Sequence, residues 1–190
     1  MSIRRITVVQ ESAQAIWALD AVAEAAAALE AELTGLFVED VELLHFAGLP
    51  FAREIGVFSA QALDVRTMER RFRYQAEEAR RALAAATEGK PLRWSFRIER
   101  GSLPAQVRSA LADADLVVLL GGQSPRRAAA LLSSAELPLE VESALERLAR
   151  ALAGEVYRVQ PDAGEEAISR LLRELWRGAA GAKAEGIGRK

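Results

Sequence analysis

The segment from Asp115 to Arg127 constrains the fold more than any other part of the chain; it reads Asp-Leu-Val-Val-Leu-Leu-Gly-Gly-Gln-Ser-Pro-Arg-Arg. Its apolar run, Leu116 to Leu120, has no polar alternation, so it predicts a strand covered on both faces of a parallel sheet. Two glycines follow, and then Ser124 and Pro125, which are favoured at the N-cap and the first position of a helix. In open α/β sheets a turn of this kind lies at the edge where ligands bind.

The composition is that of an ordinary globular protein. The chain has 190 residues, of which 51% are hydrophobic and 27% charged, and a formal net charge of −2; it has no overall field that would attract nucleic acid or an anionic membrane. It contains no cysteine, which excludes disulfides, thiolate metal sites and thiol catalysis. No apolar run approaches the roughly 20 residues of a membrane helix, and the N-terminus becomes polar too early for a signal peptide. These features predict a cytoplasmic protein that neither inserts into membranes nor binds nucleic acid.

Strand and helix patterns alternate along the chain, which predicts an α/β fold with parallel strands. The predicted strands are 3–9, 33–38, 92–99, 116–120 and 155–160. The predicted helices are 12–32, 60–87, 104–112, 124–135, 139–153 and 165–176. The half-polar alternation of 92–99 favours an edge strand. Residues 1–177 are expected to form one domain, and the small, glycine-spaced tail 178–190 is expected to be disordered.

Three segments together resemble the universal stress protein family. The most specific is 99–121, where a strand, a Gly-Ser-Leu-Pro turn and a helix lead to Ala-Asp-Leu-Val-Val and a glycine; the others are 6–19 and 31–40. The resemblance covers about residues 1–122. It implies a five-stranded parallel sheet of order 3-2-1-4-5 with helices on both faces, as in the adenine nucleotide alpha hydrolase group, while 123–177 diverge and add C-terminal helices. It also implies a bacterial, cytoplasmic stress-response protein that forms a homodimer.

The resemblance further implies where a nucleotide would bind. Many family members hold ATP with an acidic residue after the first strand, a backbone contact after the second, and a Gly-x2-Gly-x9-Gly-Ser/Thr loop after the fourth. In this chain Gln10 or Glu11 follows the first strand, and Val38 matches the second contact.

The phosphate loop of the family is degraded in this chain. Gly121 matches the first glycine, but Ser124 and Ser134 replace the second and third. Glycine lets backbone N–H groups approach a phosphate with no Cβ in the way, and Pro125 removes one donor. Two interpretations stay open: an anion held at the helix N-terminus beside Arg126, or a capped helix with solvated arginines. The residues of this candidate crevice are Gln10, Val38, Gly121, Gly122, Ser124 and Arg126.

The other candidates favour structural roles. His45 is the only histidine, and a lone histidine predicts no metal site. No serine stands in a nucleophile motif, so no catalytic residue is predicted. The loop around Leu49-Pro50-Phe51 could form a lid over the crevice or could plug it. Plugging by Phe46 or Phe51 is favoured, because the phosphate loop is degraded. The charged helix 60–87 is predicted to be a solvated face, with a partner surface as the alternative.

These observations predict a non-catalytic, stress-protein-like module without a cofactor, which acts through contacts with a protein partner that the sequence does not identify and forms a homodimer. One alternative is an ATP-binding sensor whose loop uses Ser124, Ser134 and Arg126 in place of glycines. A further alternative is an enzyme of the wider nucleotide-binding α/β group, for which the sequence shows neither a histidine motif nor a metal signature. The sequence leaves open whether the last seventy residues complete the sheet, add a helical subdomain or swap into a second copy.

Overall fold

The computed structural model describes residues 3–11, 18–49, 53–55, 60–62, 64–120, 129–133, 139–152, 155–160 and 163–181. The strands of the main sheet are β1 (Arg5–Gln10), β2 (Glu32–Asp40), β5 (Trp94–Gly101), β6 (Leu116–Leu120), β7 (Ala129–Ser133) and β8 (Glu155–Arg158). A separate antiparallel pair consists of β3 (Arg53–Ile55) and β4 (Ala60–Ala62). The helices are α1 (Leu19–Ala28), α2 (Val41–Ala47), α3 (Val65–Thr87), α4 (Leu103–Asp113), α5 (Leu139–Ala151) and α6 (Glu165–Gly181).

The main sheet has the order β5-β2-β1-β6-β7-β8. The first four of these strands are mutually parallel, so the α/β class and the 3-2-1-4 part of the predicted order are confirmed. β7 is antiparallel to β6, and β8 is parallel to β7. Among the described residues the sheet therefore has six strands rather than five, and its last two run antiparallel to the first four.

The added strand β7 corrects the prediction of a helix at 124–135. Its Ala-Ala-Leu-Leu-Ser sequence is a short apolar run that periodicity cannot assign to either a helix or a strand. Ala129 lies opposite Leu120, and an antiparallel return of this kind needs no crossover helix. The strand predicted as the fifth, near 155–160, is still at the sheet edge as β8, but it pairs with β7 instead of β6.

Helices cover both faces of the central strands, as predicted. On one face, side chains of α1, α3 and α5 pack on Ile6, Val8, Leu33 and Leu116 in one cluster. On the other face, side chains of α4 and α6 pack on Val9, Leu36 and Val38. All five residues of β6 are buried, which is why its sequence shows no polar alternation.

Asp115 aligns the starts of β1 and β6. Its carboxylate Oδ2 accepts hydrogen bonds from the backbone N–H groups of Arg4 (2.8 Å) and Arg5 (3.0 Å). The N–H of Asp115 in turn donates to the carbonyl of Arg5 at 3.0 Å. The aspartate of the Ala-Asp-Leu-Val-Val sequence therefore has a structural role at the end of the sheet opposite the candidate crevice.

Helix α1 ends four residues earlier than predicted. Glu30 has a φ of 52°, and the Ala31 N–H donates to the Ala26 carbonyl at 2.9 Å, which closes the helix with a left-handed residue. Glycine is the usual residue at such a position, so Glu30 gives no sequence signal for the stop.

Helix α3 buries one stripe and exposes a charged face. It begins at Val65 rather than at 60, because residues 60–62 form β4 and Asp64 caps the helix by accepting a hydrogen bond from the Thr67 N–H at 2.9 Å. On the exposed face Glu77 pairs with Arg80 at 2.9 Å and with Arg81 at 3.1 Å. The predicted solvated face with intrahelical pairs is therefore present.

Close packing between the sheet and α3 depends on Gly35 in β2. A Cβ at this position would lie 2.6 Å from Leu83 Cδ2 and 2.7 Å from Phe96 Cδ2. Phe96 is the register partner of Gly35 on the adjacent strand β5. The missing side chain therefore lets the helix and the neighbouring strand meet over β2.

The C-terminal helix runs further than predicted. The α6 backbone is helical through Gly181, past the predicted end at Trp176 and into the stretch expected to be disordered; 182–190 lie outside the described residues. In the part of the chain that the structure describes, no helix combines the length and apolar character needed to cross a membrane.

Candidate functional site

The carboxyl ends of β1, β2 and β6 meet at one edge of the sheet, where the strand order reverses. The register places Gln10 opposite Phe37 on one side and opposite Leu120 on the other. Connections on either side of β1 leave in opposite directions, which opens a crevice beside the strand ends in folds of this type. The predicted residues Gln10 and Val38 lie at this edge, and Gly121 follows Leu120 directly in the chain.

Gln10 carries an unsatisfied polar group. The residue is only 1% exposed, and its Nε2 has no hydrogen-bond partner among the described residues. Leaving a buried donor unpaired costs about 1–3 kcal/mol, so such a group in a native protein normally bonds a water, an ion or a ligand. Gln10 is therefore the one predicted crevice residue whose environment, in the described part of the chain, calls for an external acceptor.

Val38 lies where the resemblance places a backbone contact. Its side chain is fully buried in the cluster beneath α4, so it offers no side-chain surface to a ligand. The N–H of Glu32 donates to the Arg4 carbonyl, which shows that the even-numbered residues of β2 direct their backbone groups towards β1. The β1–β2 register ends at Gln10 opposite Phe37, so Val38 lies one residue beyond it.

The four other predicted crevice residues, Gly121, Gly122, Ser124 and Arg126, lie outside the described residues. Ser134 does as well. What the structure does give is the strand that follows them, since 129–133 form β7. The helix predicted over 124–135 is therefore wrong at 129–133, and the anion predicted at its start stays a prediction.

Two carboxylates lie close together at this edge. Burial, and secondarily the charge of Asp40, raises the pKa of Glu11 above its usual range. Asp40 is fixed as the N-cap of α2, where its Oδ1 accepts a hydrogen bond from the Glu42 N–H at 2.8 Å. Sequence reasoning identified Glu11 but missed Asp40, although a Glu-Asp pair after a predicted strand, ahead of a helix, is an N-cap signal.

The basic and hydroxyl groups at the same edge already have partners. The Arg100 guanidinium at the end of β5 binds Glu39 at 2.8 Å and approaches Glu69 at 3.8 Å. The Ser102 hydroxyl donates to Glu165 Oε1 at 2.8 Å and accepts from the Ala105 N–H at 3.4 Å. These interactions leave the described part of the crevice acidic.

The aromatic plug is not supported at Phe46. That side chain is 46% exposed on α2, and Phe51 lies outside the described residues. His45, on the same short helix, is exposed. Within the residues that the structure places, no group of three or more histidine, aspartate or glutamate side chains could hold a metal ion.

No protein-family model matches the sequence, and no curated protein matches it significantly. Solved structures similar to the chain include a protein from the universal stress protein family from Burkholderia pseudomallei, with 22% identity over 83% of this chain and 96% of that one and a TM-score of 0.42. Another is the universal stress protein UspA from Lactobacillus plantarum, with 19% identity, coverages of 84% and 99%, and a TM-score of 0.43. A third is a universal stress protein in complex with cAMP, with 13% identity, coverages of 85% and 100%, and a TM-score of 0.38. All three carry the name of the family that the sequence segments resemble, and the likeness assigns no ligand to this chain.

Proposed function

We propose that this chain is a non-catalytic module of the universal stress protein type, which acts in a cytoplasmic stress response through contacts with proteins, including a second copy of itself. The observation that carries the proposal is the acidic crevice. A polyphosphate entering at the β1–β2 edge would approach Glu11 and Asp40, and two carboxylates repel an anion most strongly where burial lowers the local dielectric.

The starts of α2 and α4, near this edge, give little compensating attraction. The first-turn N–H groups of a helix normally favour an anion, but Asp40 already supplies a carboxylate to those of α2. At the start of α4 the Ser102 hydroxyl accepts a hydrogen bond from the Ala105 N–H and itself donates to Glu165. At these two helix starts a nucleotide phosphate would therefore have to displace groups that are bonded within the chain.

Titration calorimetry of the full chain with ATP, ADP, AMP and adenosine tests the proposal. We expect no saturable heat with ATP or ADP up to millimolar concentration and no release of phosphate from ATP. Glu11→Gln is the matched variant, because it removes the charge and keeps the side-chain size. Micromolar ATP binding with a defined stoichiometry by the unaltered chain would contradict the proposal.

A second candidate, the nucleotide-binding sensor, is favoured by the unpaired Nε2 of Gln10. A buried amide at a sheet switch point is placed to donate to an acceptor on a base or sugar, and a ligand would satisfy it. Under this hypothesis Gln10→Leu, Ser124→Ala and Arg126→Ala should each weaken adenine nucleotide binding at least about tenfold, the equivalent of 1.4 kcal/mol. Unchanged affinity in all three variants would exclude the sensor.

A further inference from the structure

Strand β5 leaves a row of backbone groups without partners. It pairs with β2 over eight consecutive residues and ends the strand order on that side. The Leu33 N–H donates to the Arg93 carbonyl at 2.9 Å, so the odd-numbered residues of β5 direct their backbone groups to β2. Those of Trp94, Phe96 and Ile98 therefore point outwards, where no strand in the described part of the chain pairs with them.

The same three residues form an apolar row on the α3 face of this edge. Phe96 packs against the core, whereas Trp94 is 37% and Ile98 51% exposed. Many open edges are kept from pairing by a short length, a bulge or a proline, and β5 has none of these. An edge of this kind can accept an extended segment as an added strand.

The α4 face of the edge is basic. Arg93 is exposed, and it has no ion pair to the residues that the structure describes. The Arg97 Nη2 lies 3.8 Å from Asp113 Oδ2, and the Nε of the same guanidinium has no hydrogen-bond partner. Both arginines can therefore bind a further carboxylate.

Arginines of α3 add positive charge on the apolar face. Glu69 lies 3.8 Å from Arg100 at the end of β5, so this side of α3 lies over β5. Arg73 follows one turn later on the same side, and Arg80 two turns after that. Arg80 pairs with Glu77, whereas Arg73 is exposed and has no ion pair within the described part of the chain. An added strand would thus lie beside basic groups on both of its faces.

We propose that β5 accepts an extended, acidic segment of a partner protein as an additional antiparallel strand. The inference deepens the proposed role in protein contacts, and rests on it, by naming the surface and the kind of partner. Apolar residues at every second position of the segment would cover Trp94, Phe96 and Ile98. Acidic residues between them would lie opposite Arg93 and Arg97. About six backbone hydrogen bonds would form, two at each outward-facing residue.

Charge complementarity selects an acidic partner. Opposite charges placed directly across a strand pair are stabilising, and like charges are destabilising. A second copy of β5 would bring the same arginines to an edge that is already basic. A segment with glutamates opposite Arg93 and Arg97 instead neutralises both, and its backbone supplies the same hydrogen bonds.

The experiment measures binding of a synthetic heptapeptide, Thr-Ile-Glu-Val-Thr-Val-Glu, to the full chain by fluorescence anisotropy. In the antiparallel register the central valine lies opposite Phe96, and the two glutamates lie opposite Arg97 and Arg93. We expect saturable binding with a dissociation constant below about 1 mM. A peptide of the same composition in scrambled order should bind at least about tenfold more weakly.

Methylation of single backbone nitrogens in the peptide tests strand pairing itself. The N–H of the central valine donates to the Phe96 carbonyl in the antiparallel arrangement, so its methylation should weaken binding at least about tenfold. The N–H of the next threonine, opposite Ser95, points to solvent, and its methylation is the matched control. Equal affinities of the two methylated peptides would overturn the proposal. The reverse order would overturn the antiparallel orientation, because these nitrogens exchange roles in a parallel pair.

A charge reversal tests the register. Arg93→Glu should weaken binding roughly 3- to 30-fold, because an attractive cross-strand pair becomes repulsive. A peptide with lysine in place of its last glutamate should recover the affinity for this variant, which a misfolded variant would not show. Arg147→Glu is the matched control, because Arg147 is exposed on α5, which packs beside β7 and β8 at the other end of the sheet.

Two further results would overturn the proposal. One is the absence of saturable peptide binding to the unaltered chain, which is also the result expected if a second copy holds the edge. The other is equal weakening by Arg93→Glu and Arg147→Glu, which would show a response to net charge rather than to β5. The readout is peptide binding, so it stays distinguishable from the nucleotide titration: ATP binding would contradict the proposed function and leave the peptide result unchanged.

Discussion

Replacing Asp115 by alanine should destabilise the chain more than any other single change of a charged side chain at the start of β6. The variant leaves the N–H groups of Arg4 and Arg5 without their carboxylate partner. Hydrogen bonds to a charged group are worth about 1.5–3 kcal/mol each. Asp115 is partly exposed, so water can take over part of the lost hydrogen bonding in the variant. We therefore expect the free energy of unfolding to fall by about 2–4 kcal/mol.

Urea denaturation followed by circular dichroism measures this loss. With a slope of roughly 1–3 kcal/mol per molar of urea, the midpoint should fall by about 1 M or more. Asp115→Asn keeps one acceptor oxygen without the charge and should lose about half as much. The control is Asp113→Ala, two residues away, whose carboxylate lies 3.8 Å from the Arg97 guanidinium; an exposed pair of this kind is worth about 0–1 kcal/mol. An Asp115→Ala midpoint equal to that of the control would refute the reasoning.

Three further predictions concern packing, backbone strain and titration. Gly35→Ala should cost about 1–3 kcal/mol, because its Cβ would overlap Leu83 and Phe96; the same substitution should cost less in a chain that already carries Leu83→Ala, and a double-mutant cycle with no coupling would contradict the clash. Glu30→Gly should raise stability by about 1 kcal/mol, since glycine adopts the observed φ of 52° without strain; a lower melting temperature would show that the position is unstrained. Glu11→Gln should stabilise the chain at neutral pH but not in acid. The raised pKa of Glu11, caused by burial and then by Asp40, means that its favourable contribution is complete below the unfolded pKa and is lost as the pH rises through the folded one. Equal gains from Glu11→Gln at pH values of about 3 and 7 would disprove this.

The strands could be predicted from the sequence where burial imposes a clear pattern of apolar and polar residues. The unbroken apolar run of Leu116 to Leu120 needs cover on both faces, and the sheet provides it. The half-polar alternation of 92–99 predicts an edge strand, and β5 lies at the edge. In both cases the local pattern and the tertiary environment agree, which is the condition under which sequence patterns are informative.

The elements that were missed are those whose sequence is locally ambiguous. The Ala-Ala-Leu-Leu-Ser run of β7 fits a helix as well as a strand, and only its pairing with β6 decides. Glu30 ends α1 in a conformation that normally selects glycine, so the sequence contains no signal for the end of the helix. At both positions the tertiary structure outweighs the local conformational preference of the residues.

The candidate site was predicted in part. The resemblance identified Gln10, Glu11 and Val38, and the strand register brings them to one edge. The coupling of Glu11 to Asp40 could not be read from spacing, because the two residues follow different strands and meet only through the sheet. That Gln10 is buried with an unpaired Nε2 is likewise a property of the packed fold.

The contact of α6 with the sheet has a consequence for how the chain can be divided. Ile168 and Leu172 belong to the same buried cluster as Val9 and Val107, and Ser102 holds Glu165 at the start of the helix. Truncation after residue 122, at the limit of the family-like segments, would strip one side of β1 and α4 of its apolar cover. The divergent C-terminal third of the sequence is therefore part of the domain core. It should unfold in the same cooperative transition as the strands against which α6 packs.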